Sequence, residues 1–156
     1  MPRFGKVPKR DISADAVYDS ELVQKFINKI MLGGKKTKAE EAVYSALETA
    51  AKKLEKPALE VFEKALENVT PLLQIKARRV GGATYQVPVE IPKARGQAQA
   101  MQWIRDYCRE QSGKSMSEKL ATELIDAYNG AGGAMKKKED LHKTAEANKA
   151  FAHFRW

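Results

Sequence analysis

The apolar residues of this 156-residue chain change period twice, and that change constrains the fold more than any other feature. From Ser20 to Val69 they recur at the 3.6-residue spacing of amphipathic helices. Between Leu73 and Ile91 they alternate with a period of two. From about Gln97 onward the helical spacing returns. The alternating stretch is divided by Gly81-Gly82, a pair that suits the tight turn of a β-hairpin. Leu73, Ile75 and Ala77 alternate on one arm, and Tyr85, Val87, Val89 and Ile91 on the other. Pro88 cannot donate to a ladder, so its strand must be an edge, as both strands of an isolated ribbon are. Such a ribbon is marginal in water unless its base packs on the helices. The expected fold is therefore mainly α: a six-helix bundle-like domain with one protruding β-hairpin and an extended basic N-terminal arm.

Local signals place the helices. Asp19 or Ser20 can cap the first, whose stripe is Leu22, Val23, Phe26, Ile27, Ile30 and Met31, and Gly33-Gly34 stops it. Thr37 and Glu40 have capping-box spacing for the second, with Pro57 at its end. Leu59, Val61, Phe62, Leu66 and Val69 line the third, up to Thr70-Pro71. A fourth helix is expected over 97–111. A fifth follows Ser115 and Glu118, which again have capping-box spacing. A sixth, basic helix is expected over about 134–148. The domain reading is an arm over 1–11, one helical domain over 12–148 with the hairpin at about 72–91, and an aromatic and basic tail over 149–156. Both ends are expected to order only on a polyanion.

Charge then narrows the function. The chain carries 28 Lys and Arg against 20 Asp and Glu, a net +8. The excess is local: residues 1–40 hold nine basic and five acidic side chains, and residues 76–114 hold eight and three. Residues 41–75 are net acidic, with four and six. Such clustering points to a polyanion partner. The arm contributes Arg3, Lys6, Lys9 and Arg10 with no acid among them. The hairpin brings Lys76, Arg78 and Arg79 toward the Gly81-Gly82 tip, with Tyr85 leaving it as a stacking candidate. Lys35, Lys36 and Lys38 follow a double glycine into a helix N-terminus, where backbone N–H groups favour anions. Lys25 and Lys29 lie off the first helix's apolar stripe. Lys93 and Arg95 are expected before the fourth helix, Lys114 before the fifth, and Lys136, Lys137 and Lys138 at the start of the sixth. Glu139 and Asp140 are expected in a surface ion-pair network with these lysines.

Other classes find little support. One cysteine, Cys108, and two histidines, His142 and His153, give no metal-ligand spacing, and Cys108 on an apolar stripe reads as a buried thiol. No GxSxG, HExxH or GxGxxG motif occurs, so neither catalysis nor a cofactor is expected. No apolar run approaches a membrane span of roughly 18 residues, and no signal peptide is visible.

Four segments carry a family resemblance: GKVPKRD (5–11), SELVQKFINKIMLGGKK (20–36), RRVGGATYQVPVE (78–90) and HKTAEANKAFAHFRW (142–156). They resemble small-subunit ribosomal protein seven in its bacterial form, in order and along essentially the whole chain. The resemblance implies a primary binder of 16S ribosomal RNA that nucleates assembly of the 3′ major domain, the head of the small subunit. It implies a place near the exit-site tRNA and the mRNA exit path, contacts with small-subunit ribosomal proteins nine and eleven, and in some bacteria repression of the protein's own operon. It further implies the cytoplasm, or an organelle stroma such as a plastid's, and no membrane. Carried onto this sequence, Arg3, Lys6, Lys9, Arg10, Lys35, Lys36, Arg78 and Arg79 hold rRNA, joined by Lys76, Arg95, Lys114 and Met116, and the Gly81-Gly82 tip faces tRNA and mRNA. A helix-turn-helix DNA-binding regulator is the alternative, supported only by the first two helices and their glycine turn.

Overall fold

The structure, a computed structural model, describes residue 5 and residues 11–154. Arg3, Lys6, Lys9 and Arg10 lie outside the described residues. Six α-helices and one hairpin follow in the expected order: α1 (Glu21–Ile30), α2 (Lys36–Leu54), α3 (Ala58–Val69), β1 (Leu73–Val80), β2 (Ala83–Glu90), α4 (Lys93–Glu110), α5 (Met116–Tyr128) and α6 (Gly133–Ala147). A 3₁₀ turn, Lys149–Phe154, follows α6.

The apolar stripes meet in one core. Phe26 of α1 and Phe62 of α3 are both fully buried, with ring centroids 5.3 Å apart. Leu47, Leu66, Met101, Ile104, Leu120 and Leu124 complete the interior, with Cys108 among them. Helix α5 is the central element and packs on α2, α3 and α4. Burial pushes the Cys108 thiol up to about 12, with the nearby Glu123 adding to the shift, so the thiol is un-ionised packing rather than a nucleophile.

Helix ends are closed in a way that local signals did not reveal. Ser115 accepts from the Glu118 N–H at 3.3 Å, as its spacing predicts. The Thr37/Glu40 box does not form. Helix α2 begins one residue before Thr37, at Lys36, and Glu40 pairs with Lys36 instead. Glu55, in the left-handed region at φ 54°, ends α2 ahead of Pro57. Helix α4 starts at Lys93, four residues before the expected start, because Pro92 sets its N-cap. Lys93 and Arg95 therefore lie in its first turn.

Most other ends are capped by a neighbouring element. Arg109 Nη2 of α4 donates to the Ile30 carbonyl that ends α1, at 3.1 Å. Lys138 of α6 donates to the Asn68 carbonyl near the end of α3. Asn68 Nδ2 in turn donates to the carbonyls of Ala127 and Tyr128 that end α5, each at 3.0 Å. Lys119 of α5 donates to the Gln111 carbonyl past α4, at 2.7 Å. Glu123, 2% exposed, accepts the Ala134 N–H at the start of α6 at 2.7 Å. Burial raises the Glu123 carboxyl above its usual range, although the Ala134 and Gly133 N–H groups oppose the shift. Gly133 is required there, since a Cβ would sit 2.0 Å from the Tyr107 ring.

Asp15, 3% exposed, fixes the chain ahead of α1. Its carboxylate accepts the Val17 and Tyr18 N–H groups at 3.1 and 3.0 Å and the Tyr44 hydroxyl of α2. Burial alone would raise its pKa. The Tyr44 and backbone hydrogen bonds outweigh burial and hold the carboxyl below 3.8.

The core arrangement sets a stability test. Phe62→Ala removes the α1–α3 ring contact and leaves a cavity, so a loss of about 3–5 kcal/mol is expected in urea denaturation followed by circular dichroism.

Candidate nucleic-acid interface

The hairpin closes through a two-residue turn. Gly81 and Gly82 have φ 58° and 90°, and Val80 pairs with Ala83. Both central residues are left-handed, which a type I′ turn demands and glycine supplies without strain.

The register decides which way the cations face. Arg78 pairs with Tyr85, Lys76 with Val87, and Arg79 with Thr84. Directly paired residues share a face. Lys76 and Arg78 therefore stand on the Tyr85 and Val87 face, and Arg79 stands on the other. The two alternating apolar series consequently lie on opposite faces of the ribbon.

The Tyr85 face is covered by the C-terminal 3₁₀ turn. The Tyr85 ring lies 5.1 Å from both Phe151 and Phe154, centroid to centroid, and Val87 is fully buried. Residues 149–154 therefore form a strap against β2 rather than a free tail, and Tyr85 is engaged in holding it. Arg78 is half-buried on that same face, whereas Lys76 and Arg79 are exposed.

The base of the hairpin is fixed as well. Gly96, in the first turns of α4, is buried so closely that a Cβ would lie 3.0 Å from the Pro71 carbonyl oxygen. The Leu72 N–H donates to His142 Nε2 of α6 at 3.3 Å, which requires a neutral imidazole. Burial, and then the charge of Lys138, hold His142 below its ordinary 6.5.

Two groups of cations surround this frame. The first lies along the groove between α1 and α4. Lys25 and Lys29 line it from α1, Ala94 and Gln97 line it from α4, and Ile12 closes one side. Lys93 and Arg95, both exposed, stand in the first turn of α4 beside it. Lys25 also pairs with Glu21 at 3.1 Å, both partly exposed, and such pairs hold little energy.

The second group lies at the opposite end of α4. The Arg109 cap on Ile30 brings the C-termini of α1 and α4 together, and Lys137 reaches Glu110 at 3.4 Å. Lys35, Lys36 and Lys38 of the α1–α2 turn, Lys114 of the α4–α5 turn, and Lys136 are exposed around this end. Met116 packs against the core instead. Glu139 and Asp140 make none of the ion pairs found among the described residues; the acidic partner near this lysine run is Glu110.

Among the described residues, no group of three or more His, Cys, Asp or Glu is placed to hold a metal. No helix among the described residues is long and apolar enough to cross a membrane. A helical core carrying a clamped basic hairpin and lysine-rich turns has the clustered positive charge of a polyanion-binding module.

Comparison with known proteins gives the family. The model of ribosomal protein S7p/S5e matches residues 2–149. The chain is 58% identical to small ribosomal subunit protein uS7 of Natranaerobius thermophilus and to that of Pelotomaculum thermopropionicum, over 156 residues and the full length of each pair. It is 55% identical to the uS7 protein of Dictyoglomus turgidum over the same span. The chain belongs to the ribosomal protein S7p/S5e family, which is a family of structural ribosomal proteins and not of enzymes.

Two outcomes follow from the clamped hairpin. In Tyr85→Ala, amide exchange should accelerate in β2 and in residues 149–154 while the helical core stays protected, as read by hydrogen-exchange mass spectrometry. A histidine with a depressed pKa stabilises the fold above 6.5 and loses that contribution as pH falls through the folded value. NMR should therefore show His142 titrating below 6.5, with the Leu72 amide resonance moving along the same curve.

Proposed function

We propose that this chain is a structural constituent of the small ribosomal subunit and a primary binder of 16S rRNA. Family membership carries the reading, and the two cation groups supply its physical means. In this proposal the α1–α4 face with the arm, and the turn cluster at the far end of α4, neutralise phosphates of separate RNA helices. The rigid core fixes the angle between them. A-form grooves offer side chains little base information, so shape and phosphate spacing dominate recognition. Holding a junction of the 3′ major domain in this way would nucleate assembly of the head.

Arg79 and the Gly81-Gly82 tip are exposed at the closed end of the hairpin. They suit contact with exit-site tRNA and mRNA at the subunit interface. The finer parts of the proposal are docking against ribosomal proteins nine and eleven, cytoplasmic residence in the ribosome, and repression of the protein's own operon by the same RNA-binding surface.

The structure separates two kinds of cation, and a binding assay can tell them apart. Filter binding to a 3′-domain fragment of 16S rRNA should weaken steeply with salt, each neutralised phosphate steepening the log–log slope by about 0.7–0.9. Transfer RNA and duplex DNA should compete poorly. Lys29→Ala and Arg79→Ala should each flatten the slope while leaving stability within about 0.5 kcal/mol. Arg109→Met and Lys138→Met should do the reverse, costing about 1–3 kcal/mol in urea and leaving the slope in place. A salt-independent affinity, or equal affinity for any duplex RNA, would overturn the proposal.

A further inference from the structure

The groove between α1 and α4 holds more than phosphate neutralisation requires. Its volume is about 420 Å³, within the roughly 300–1,000 Å³ of small-ligand sites. Its apolar part includes Ile12, Leu22, Ala94, Ala98 and Met101, and its polar part includes Asn28, Lys29 and Gln97. Met101 is 1% exposed and forms the bottom, while Asn28 stands exposed. The spacings are those of single helix faces: Leu22 and Lys29 on α1, and Gln97, Ala98 and Met101 on α4.

A phosphate needs cations and N–H donors, not an apolar bed. A basic peptide would meet the like charges of Lys25 and Lys29. A nucleobase has the matching chemistry: flat faces that prefer apolar contact, and edges that carry both donors and acceptors. The Gln97 amide presents a donor and an acceptor side by side and suits such an edge, and Asn28 adds its NH₂ donors. Gln24 Nε2 donates to Asn28 Oδ1 at 3.3 Å, which turns the Asn28 NH₂ outward. Ala98 is small enough to leave the slot open between the helices. Among the described residues Lys29 has no carboxylate partner, so it remains for the phosphate that flanks an inserted base.

We infer that this groove takes one unpaired RNA base, with its edge read by Asn28 and Gln97 and its flanking phosphate held by Lys29. Sequence-specific RNA recognition commonly targets bases that are splayed out of loops and bulges. The site would add base readout to a surface that otherwise reads shape, and it rests on the RNA-binding function proposed above.

The test uses the full chain and a 3′-domain fragment of 16S rRNA, probed with dimethyl sulfate across a salt series. The wild-type protein should protect the Watson–Crick edge of at least one unpaired A or C. Asn28→Ala and Gln97→Ala should each weaken binding by about 5- to 30-fold, the size of one or two hydrogen bonds, with an unchanged salt slope and with that base exposed again. Ala94→Trp, which fills the mouth without altering charge, should have the same effect. The inference is overturned if no unpaired base is protected. It is overturned equally if the three variants bind as the wild type does, or if they lose affinity only by flattening the salt slope. Failure of the wild-type chain to bind the fragment at all would instead overturn the RNA-binding reading on which the inference depends.

Discussion

The unsatisfied backbone groups at helix ends shape this molecule more than any single packing contact. Each helix leaves four carbonyls without intrahelical partners, and a bundle joined by short turns cannot expose them all to water. Here the remedy is mutual. Arg109 serves α1, Asn68 serves α5, Lys138 serves α3, Lys119 serves the chain past α4, and Glu123 serves α6. Every cap joins two elements that are not consecutive or meet across a turn, so satisfying a local requirement also fixes the global arrangement. The cations sit at negative helix C-termini and the carboxylate at a positive N-terminus, as the macrodipole favours. Consequently several basic residues of a +8 chain belong to its architecture, and counting lysines overstates the surface left for phosphate.

The same economy holds the hairpin. Two strands alone would waver in water, and a wavering ribbon could not deliver Arg79 to a fixed point. The base is pinned by the close approach at Gly96 and by the His142 hydrogen bond to Leu72. The face is pinned by Phe151 and Phe154 on Tyr85. Aromatic contacts of this kind add about 0.5–1.5 kcal/mol each beyond their area, and so help to order a short terminal strap. The strap covers the Tyr85 and Val87 side of one ribbon face, which leaves Lys76 on that face, the opposite face and the tip as surfaces a partner can meet.

Much of this was legible in the sequence because period and punctuation are local. The order of six helices and a hairpin follows from apolar spacing, and the Gly81-Gly82 turn follows from the φ > 0 its geometry needs. What was not legible depends on residues distant in sequence. Asp15 looks like a loop acid until Tyr44, 29 residues away, supplies its partner. Glu123 looks like an exposed helix acid until the Gly132-Gly133 joint folds α6 onto it. The Thr37 box lost because Lys36 entered the helix and took Glu40 as its own partner. The hairpin faces could not be read either, because alternation fixes which residues share a strand face, while pairing register fixes which faces coincide across strands.

The acidic interval also acquires a physical sense from the structure. Residues 41–75 carry the excess acid, and two of their four lysines are paired close by: Lys56 with Glu60 at 3.8 Å, and Lys64 with Glu67 at 3.1 Å. These exposed pairs add little stability, yet they matter for orientation. A body whose cations gather on α1, α4 and the turns, and whose α3 side bears Glu60, Glu63 and Glu67, has a strong charge asymmetry. In the field of a polyanion such a body turns before it touches, and the α3 side is repelled from phosphate. A uniformly basic protein of equal net charge would bind RNA in many poses. Concentrating positive charge on selected surfaces, and keeping one side acidic, lets a rigid core impose one pose and therefore one angle between the helices it holds.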